Sequence, residues 1–132
     1  MGEMHEFSTM ESILKSVLKV AEEHGAEEIL GIELRVGELT FLNPEQLRFA
    51  FQVLSEGTKA EGAKLKIRRV KPEIRCHKCG YEGPIRYEGP EYHVLSVAPL
   101  LSCPNCGDVD VELKAGRECI IQSVRIKVPK RT

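Results

Sequence analysis

The sequence contains no tryptophan, and its aromatic residues make up only 5% of the chain. They do not cluster into a platform on which nucleic-acid bases could stack. Charge of one sign is also missing. The formal net charge is −1 at neutral pH, so the overall balance offers nothing to a polyanion or an anionic membrane. No run approaches the roughly 18 consecutive apolar residues that a membrane helix needs. The first residues, Met1-Gly2-Glu3-Met4-His5-Glu6, carry acids and no apolar stretch of the secretory kind. The expectation is a cytoplasmic protein that neither spans nor coats a membrane. Also absent are a nucleophile–base pair, a phosphate-cradling glycine loop and a convergent pair of acids, which fits a binding protein better than an enzyme. The chain has no low-complexity tract and no repeat beyond two cysteine pairs.

What is present can fold. A length of 132 residues suits one ordinary domain, or a small domain with a metal-stapled module. The 42% of hydrophobic residues can bury a core, and the 30% that are charged mark a soluble chain. Ser8-Thr9-Met10-Glu11 has the form of a capping box. Met10, Ile13, Leu14, Val17, Leu18 and Ala21 follow it at helical spacing, and Gly25 stands where a left-handed residue would end the helix. The pattern predicts a helix over residues 9–24. Ile32, Leu34 and Val36 alternate with polar neighbours up to Gly37, as in a half-buried strand. Asn43 and Pro44 open a second helix, with Leu47, Ala50, Phe51 and Leu54 as its buried stripe and Gly57 at its end. Leu65 and Ile67 predict another strand, and Ile120, Val124, Ile126 and Val128 a final one.

The predicted order is helix, strand, helix, strand, cysteine module, strand. Its economical packing is α+β: a small three-stranded mixed sheet with two helices on one face, carrying the module as an insertion. Residues 1–72 and 118–132 then form an α/β domain, and residues 73–117 the module. Lys64, Lys66, Arg68, Arg69 and Lys71, and later Arg125, Lys127, Lys130 and Arg131, are local basic clusters. Alternating polar positions on two strands produce such clusters by default, as solvated faces.

Cys76-His77-Lys78-Cys79-Gly80 and Cys103-Pro104-Asn105-Cys106-Gly107 are two Cys-x-x-Cys-Gly knuckles separated by 23 residues. Two residues between thiolates let both sulfurs face one ion at about 2.3 Å. The glycine after each second cysteine lets the backbone turn back, so that amides point at the sulfurs. Together the knuckles complete a closed Zn2+ shell of Cys76, Cys79, Cys103 and Cys106. With no open position, the metal has a structural role. In a reducing compartment, paired cysteines hold metal more often than they form disulfides. His77 reads as an exposed loop residue, and Cys119, opening the last strand, as a buried and inert thiol. His93, ten residues before the second knuckle, reads first as structural and second as a further metal ligand.

Several segments together resemble the HypA family (with its relative HybF). They are Met4-His5-Glu6, Val36-Gly37-Glu38-Leu39, Pro44 to Phe51, Glu56-Gly57-Thr58 through Ala63, the paired knuckles and the closing strand. The resemblance covers nearly the whole chain. It implies a nickel metallochaperone of nickel–iron hydrogenase maturation, whose fold is a helix-flanked small sheet bearing a zinc ribbon. It implies Ni2+ as cargo, bound near the N-terminus by His5 with backbone nitrogens of Met4 and Glu6. His93 is a further candidate. Nitrogen-rich, square-planar surroundings suit Ni(II). The implied partners are a HypB-type GTPase and a nickel–iron hydrogenase large-subunit precursor, with urease served by some relatives. Met1-Gly2-Glu3 precedes the Met4 at which the family pattern starts; if a free α-amine at Met4 is a ligand, then either translation begins at Met4, or the three residues are an added extension, or nickel is bound differently here. Apart from the family, His5 is a single histidine near a terminus.

Two other classes compete for the cysteine module: a nucleic-acid-binding zinc ribbon and a redox protein. Residues 73–117 carry five Lys/Arg against seven Asp/Glu, a net of −2, the wrong sign for a phosphate-binding surface. A redox role would need one cysteine pair free of metal.

Overall fold

The computed structural model describes residues 2–85 and 102–130. Its elements are helix α1 (Gly2–Glu23), strand β1 (Glu28–Gly37), a 3-10 turn (Glu38–Thr40), helix α2 (Pro44–Ser55), and strands β2 (Lys64–Val70), β3 (Glu73–Cys76), β4 (Glu82–Pro84), β5 (Val111–Ala115) and β6 (Cys119–Lys127). The chain divides into two compact units.

The first unit comprises Met1–Arg35, Leu42–Arg68 and Ile120–Thr132. Its helix α1 begins earlier than the capping-box reading predicts. The Ser8 hydroxyl donates to the carbonyl of His5 at 3.1 Å, back along the helix, instead of capping a new one. The cause lies in the residues before Ser8. Glu6 is buried at 3% exposure and stands four residues before Met10, so the inward stripe of α1 already starts there. At the other end the sequence reading holds. Gly25 takes φ 66°, its N–H donates to Glu22, and the Ala26 N–H donates to Ala21 at 2.9 Å. This pair of bonds satisfies carbonyls that a helix terminus leaves open.

Asn43 caps α2 with its side-chain oxygen, which accepts the N–H groups of Glu45 at 2.8 Å and Gln46 at 3.2 Å. Leu47, Ala50 and Phe51 face inward. Together with Met10, Val17 and Ala21 of α1 and Ile29, Ile32 and Leu34 of β1 they are among the buried apolar residues of this unit. Phe7 packs edge-on against Phe49, with ring centroids 5.9 Å apart and planes at 77°. The three-stranded sheet has the order β2-β1-β6 and is mixed, with two helices as its cover. The Glu27 N–H donates to Lys127 at 2.9 Å, at the end of β6 opposite the residues paired with the far end of β1, so these strands run antiparallel.

The last strand departs from the predicted alternation. Ile121, Val124 and Ile126 are half-buried, but Ile120 is 46% exposed and Val128 51%. The inward phase slips by one residue at Gln122 and Ser123, both exposed. A one-residue slip moves every side chain before it to the other face, which is why Ile120 points outward.

The second unit comprises Val36–Phe41 and Arg69–Cys119. It therefore includes a short segment that the sequence reading leaves in the α/β part. The Gly37 N–H donates to Glu118 at 2.7 Å and the Leu39 N–H to Gly116 at 2.8 Å. A side chain at Gly37 would lie 2.1 Å from the Gly116 carbonyl oxygen, so only glycine permits this approach. Phe41 closes the 3-10 turn in the left-handed region at φ 59°, with its N–H on Glu38. The unit's own sheet is antiparallel in the order β4-β3-β5, pairing Arg75 with Glu82 and Cys76 with Val111.

Candidate metal centres

Strand β3 ends at Cys76, and its tight turn returns as β4. Cys79 thus sits at the tip, with Gly80 at φ 79° beyond it. The second knuckle repeats this geometry, with Gly107 also at φ 79°. In both, the glycine N–H donates to the carbonyl of the first cysteine, at 3.1 Å for Gly80 and 2.8 Å for Gly107. The first cysteine N–H of each knuckle bonds across the turn, Cys76 to Tyr81 at 2.8 Å and Cys103 to Asp108 at 2.9 Å. Backbone amides then point at sulfur: the Cys79 N–H at Cys76 Sγ (3.5 Å), and the Asn105 and Cys106 N–H groups at Cys103 Sγ (both 3.4 Å).

All four sulfurs lie within 4.8 Å of one another. The Cys76–Cys106 distance is 3.7 Å and the Cys79–Cys103 distance 3.5 Å. A tetrahedral ion with metal–sulfur bonds of about 2.3 Å requires sulfur–sulfur edges of about 3.8 Å, so the shell has the size of a zinc site. A disulfide needs sulfurs about 2.05 Å apart, and both cysteine pairs are free thiols here. The electrostatics point the same way. The Asn105 side chain, followed by the Tyr81 N–H, holds the Cys79 thiol down to about 6. At Cys106 the Asp108 N–H pulls downward too, but loss of solvation and the three neighbouring sulfurs outweigh it and push the thiol up to about 12. Sulfurs this close cannot all ionise unless a cation lies among them, and a soft-tolerant dication answers that need. The arrangement offers no open coordination position for a substrate.

Among the described residues no other trio of His, Cys, Asp and Glu side chains converges in this way. His77 is exposed, as expected, and its backbone N–H donates to Asp110 at 3.0 Å. Cys119 is half-buried, and burial raises its thiol above the ordinary range. This agrees with an inert residue. His93 lies outside the described residues. Lys78 and Asp108 form an ion pair across the knuckles at 3.6 Å, and Asn105 Nδ2 donates to Cys79 Sγ at 3.5 Å. The sequence offered no sign of these two contacts, because both depend on how the knuckles face each other.

At the other end of the chain, His5 is exposed near the start of α1, while Glu6 turns inward. Successive helical residues differ by about 100° around the axis, so adjacent side chains part in this way. The Glu6 carboxylate accepts the Asn43 N–H at 2.9 Å, which places its charge at the amino end of α2, where the helix dipole favours an anion. Its other oxygen is buried and has no partner among the described residues. The side chain of Glu6 therefore has a structural task, tying α1 to the cap of α2.

The chain matches, over residues 4–126, the family described as "Hydrogenase/urease nickel incorporation, metallochaperone, hypA". The chain belongs to the HypA family. It is 44% identical to the hydrogenase maturation factor HypA of Methanopyrus kandleri, over 96% of this chain and 95% of that protein. To the HypA of Archaeoglobus fulgidus it is 42% identical, over 95% of this chain and the whole of that protein. Two solution structures share the fold. One is the Ni metallochaperone HypA from Helicobacter pylori, with a TM-score of 0.64, 19% identity, and coverage of 94% of this chain and 98% of that one. The other is a HypA protein with a TM-score of 0.66, 21% identity, and coverage of 96% and 98%. The small mixed sheet, the two helices and the four-cysteine group are thus HypA architecture. The HypA relatives are named as maturation factors or metallochaperones, and no helix among the described residues is long and apolar enough to cross a membrane.

Proposed function

We propose that this protein carries nickel to a nickel–iron hydrogenase during its maturation, binding Ni(II) reversibly at the start of α1 and performing no catalysis of its own. The match to the nickel-incorporation family over residues 4–126 carries this reading. His5 supplies the imidazole, and backbone nitrogens of Met4 and Glu6 supply the remaining donors, with His93 as an additional candidate. Two features of α1 support the site. His5 is exposed, so its ring can reach an ion without disturbing the core. The first four N–H groups of any helix lack intrahelical partners, so with α1 starting at Gly2 the Met4 amide is available at low cost, whereas the Glu6 amide must leave its helical bond to join the shell. The Glu6 carboxylate is committed to Asn43, which leaves its backbone as the contribution to nickel. A shell built mostly from backbone binds moderately and can give up its ion, as a carrier must.

In this reading Cys76, Cys79, Cys103 and Cys106 hold a structural zinc. The ribbon serves as a rigid docking or metal-sensing element. The partners are a HypB-type GTPase and the hydrogenase large-subunit precursor, in the cytoplasm.

The direct test is transfer. Protein loaded with one equivalent of radioactive nickel is mixed with metal-free large-subunit precursor and the HypB-type GTPase, and the precursor is re-isolated. Nickel moving to the precursor from the loaded protein, faster than from free nickel at the same concentration, is the expected result. Equal rates from both sources would end the carrier assignment. Comparing chains that start at Met1 and at Met4 resolves the ligand set. Tighter binding by the shorter chain assigns the Met4 amine as a ligand, and equal binding assigns backbone amides instead.

A further inference from the structure

Two of the four ribbon sulfurs are closed to reagents. Cys76 and Cys103 are 1% and 2% exposed, whereas Cys79 and Cys106 are exposed. The exposed pair would be equivalent if the knuckles were true copies, and nearly everything about them is copied. Gly80 and Gly107 share one φ. The first sulfur of each knuckle accepts the N–H of the second cysteine, and the second sulfur accepts the N–H two residues on, from Tyr81 or from Asp108.

The copy fails at the third position. Asn105 of the second knuckle sends Nδ2 across to Cys79 Sγ at 3.5 Å. Its counterpart in the first knuckle, Lys78, is instead paired with the Asp108 carboxylate. No side-chain amide among the described residues does for Cys106 what Asn105 does for Cys79. A hydrogen bond to a metal-bound thiolate draws off electron density and lowers its nucleophilicity. Burial therefore removes two sulfurs from consideration, and Asn105 protects a third.

We propose that the four-sulfur shell opens at Cys106, which is its reactive and exchangeable ligand. An incoming soft electrophile, or the thiolate of another molecule competing for zinc, acts first there, while Cys79, Cys76 and Cys103 retain the ion. Asn105 is the residue that sets this order. The inference rests on the zinc-thiolate reading of the site. With an alkylating reagent such as iodoacetamide, the Cys106 sulfur lone pair forms the new S–C bond and iodide leaves. The product is a neutral thioether that no longer offsets the charge of zinc.

The test uses the full chain loaded with one equivalent of zinc, its metal content measured before and after treatment with less than one equivalent of iodoacetamide. The modified cysteines are then located by peptide mass spectrometry. Cys106 should be modified about fivefold faster than Cys79, the ratio one hydrogen bond commands. Cys119, outside the shell, serves as an internal reference for the fraction of protein that remains zinc-loaded and folded. Asn105→Ala should bring Cys79 to the rate of Cys106. Lys78→Asn, which places an amide at the equivalent position of the first knuckle, should slow Cys106 and so tests the idea even if Asn105→Ala binds zinc poorly. A protein that retains no zinc overturns the site reading and this inference together. A zinc-loaded protein modified first at Cys79, or a ratio unmoved by both substitutions, overturns this inference alone.

Discussion

Replacing Cys103 with alanine should unfold the second unit and leave the first intact. The expectation follows from how little the ribbon buries. Its fully buried cluster is Ile74, Cys76 and Cys103, with Tyr81, Ile85, Val111 and Leu113 only partly covered around it. Two of the three buried residues are thus cysteines of the four-sulfur group. Ile74 alone contributes about 1.5–3 kcal/mol by leaving water. Each ordered residue loses roughly 1–2 kcal/mol of backbone entropy, so a stretch of this length cannot be held by so small a core. Structural zinc in small modules contributes on the order of 10–16 kcal/mol, enough to change the outcome. The first unit has its own core of Met10, Val17, Ile29, Leu34 and Leu47, all at most 1% exposed. Amide hydrogen exchange resolves the two. In Cys103→Ala, amides of β3 and β5 should exchange at unprotected rates, while those of α1 and α2 keep their protection. Elemental analysis should show zinc lost. Protection that persists in β3 and β5 of the zinc-free variant would mean that the ribbon is held by packing, and the reasoning about its core would be wrong.

Other consequences are smaller and independent. Asn43→Ala removes the oxygen that accepts from Glu45 and Gln46, and should cost about 1 kcal/mol, read as a few degrees in Tm; no change would mean that water replaces the cap. Gly37→Ala places a methyl 2.1 Å from the Gly116 carbonyl oxygen and should cost about 3 kcal/mol or more, whereas Gly62→Ala meets nothing and suffers only its positive φ, about 1–2 kcal/mol. Equal costs in chemical denaturation would contradict the close approach. Lowering the pH should release zinc, because protons compete with the ion for the thiolates; a dye-detected zinc signal that did not rise on acidification would contradict this. The basic residues Lys64, Lys66 and Arg68 are solvated strand positions, so duplex DNA should not bind in a salt-sensitive way at physiological ionic strength. Micromolar, steeply salt-dependent binding would revive the nucleic-acid reading.

The parts of this molecule that sequence discloses are those governed by neighbours along the chain. Asn43-Pro44 at the start of α2, Gly25 after α1, and the two knuckles each carry their own conformational reason, and each stands where its chemistry requires. The departures from the sequence pattern arise where distant residues decide. Ser8 looks like a cap only while the inward turn of Glu6 is unknown, and that turn depends on an N–H donated 37 residues away by Asn43. The slip at Gln122–Ser123 is invisible to a pattern of alternating apolar residues, since Ile120 and Ile121 both suit a strand. Val36–Phe41 clusters with the ribbon because Gly37 and Leu39 bond to Glu118 and Gly116, a partnership that chain order hides. The same holds within the metal shell. Four cysteines announce it, but the contact from Asn105 to Cys79 needs both knuckles in place.

The central claim is that nickel is carried at His5, and equilibrium dialysis of wild type against His5→Ala tests it most directly. Because His5 is exposed and lies outside the core, the substitution should leave zinc content, circular dichroism and thermal stability unchanged. Wild type should bind one nickel per chain at pH 7.5 and release it on acidification, since only neutral imidazole coordinates. His5→Ala should bind none at the same nickel concentration. One nickel per chain bound by His5→Ala with undiminished affinity would contradict the proposed site.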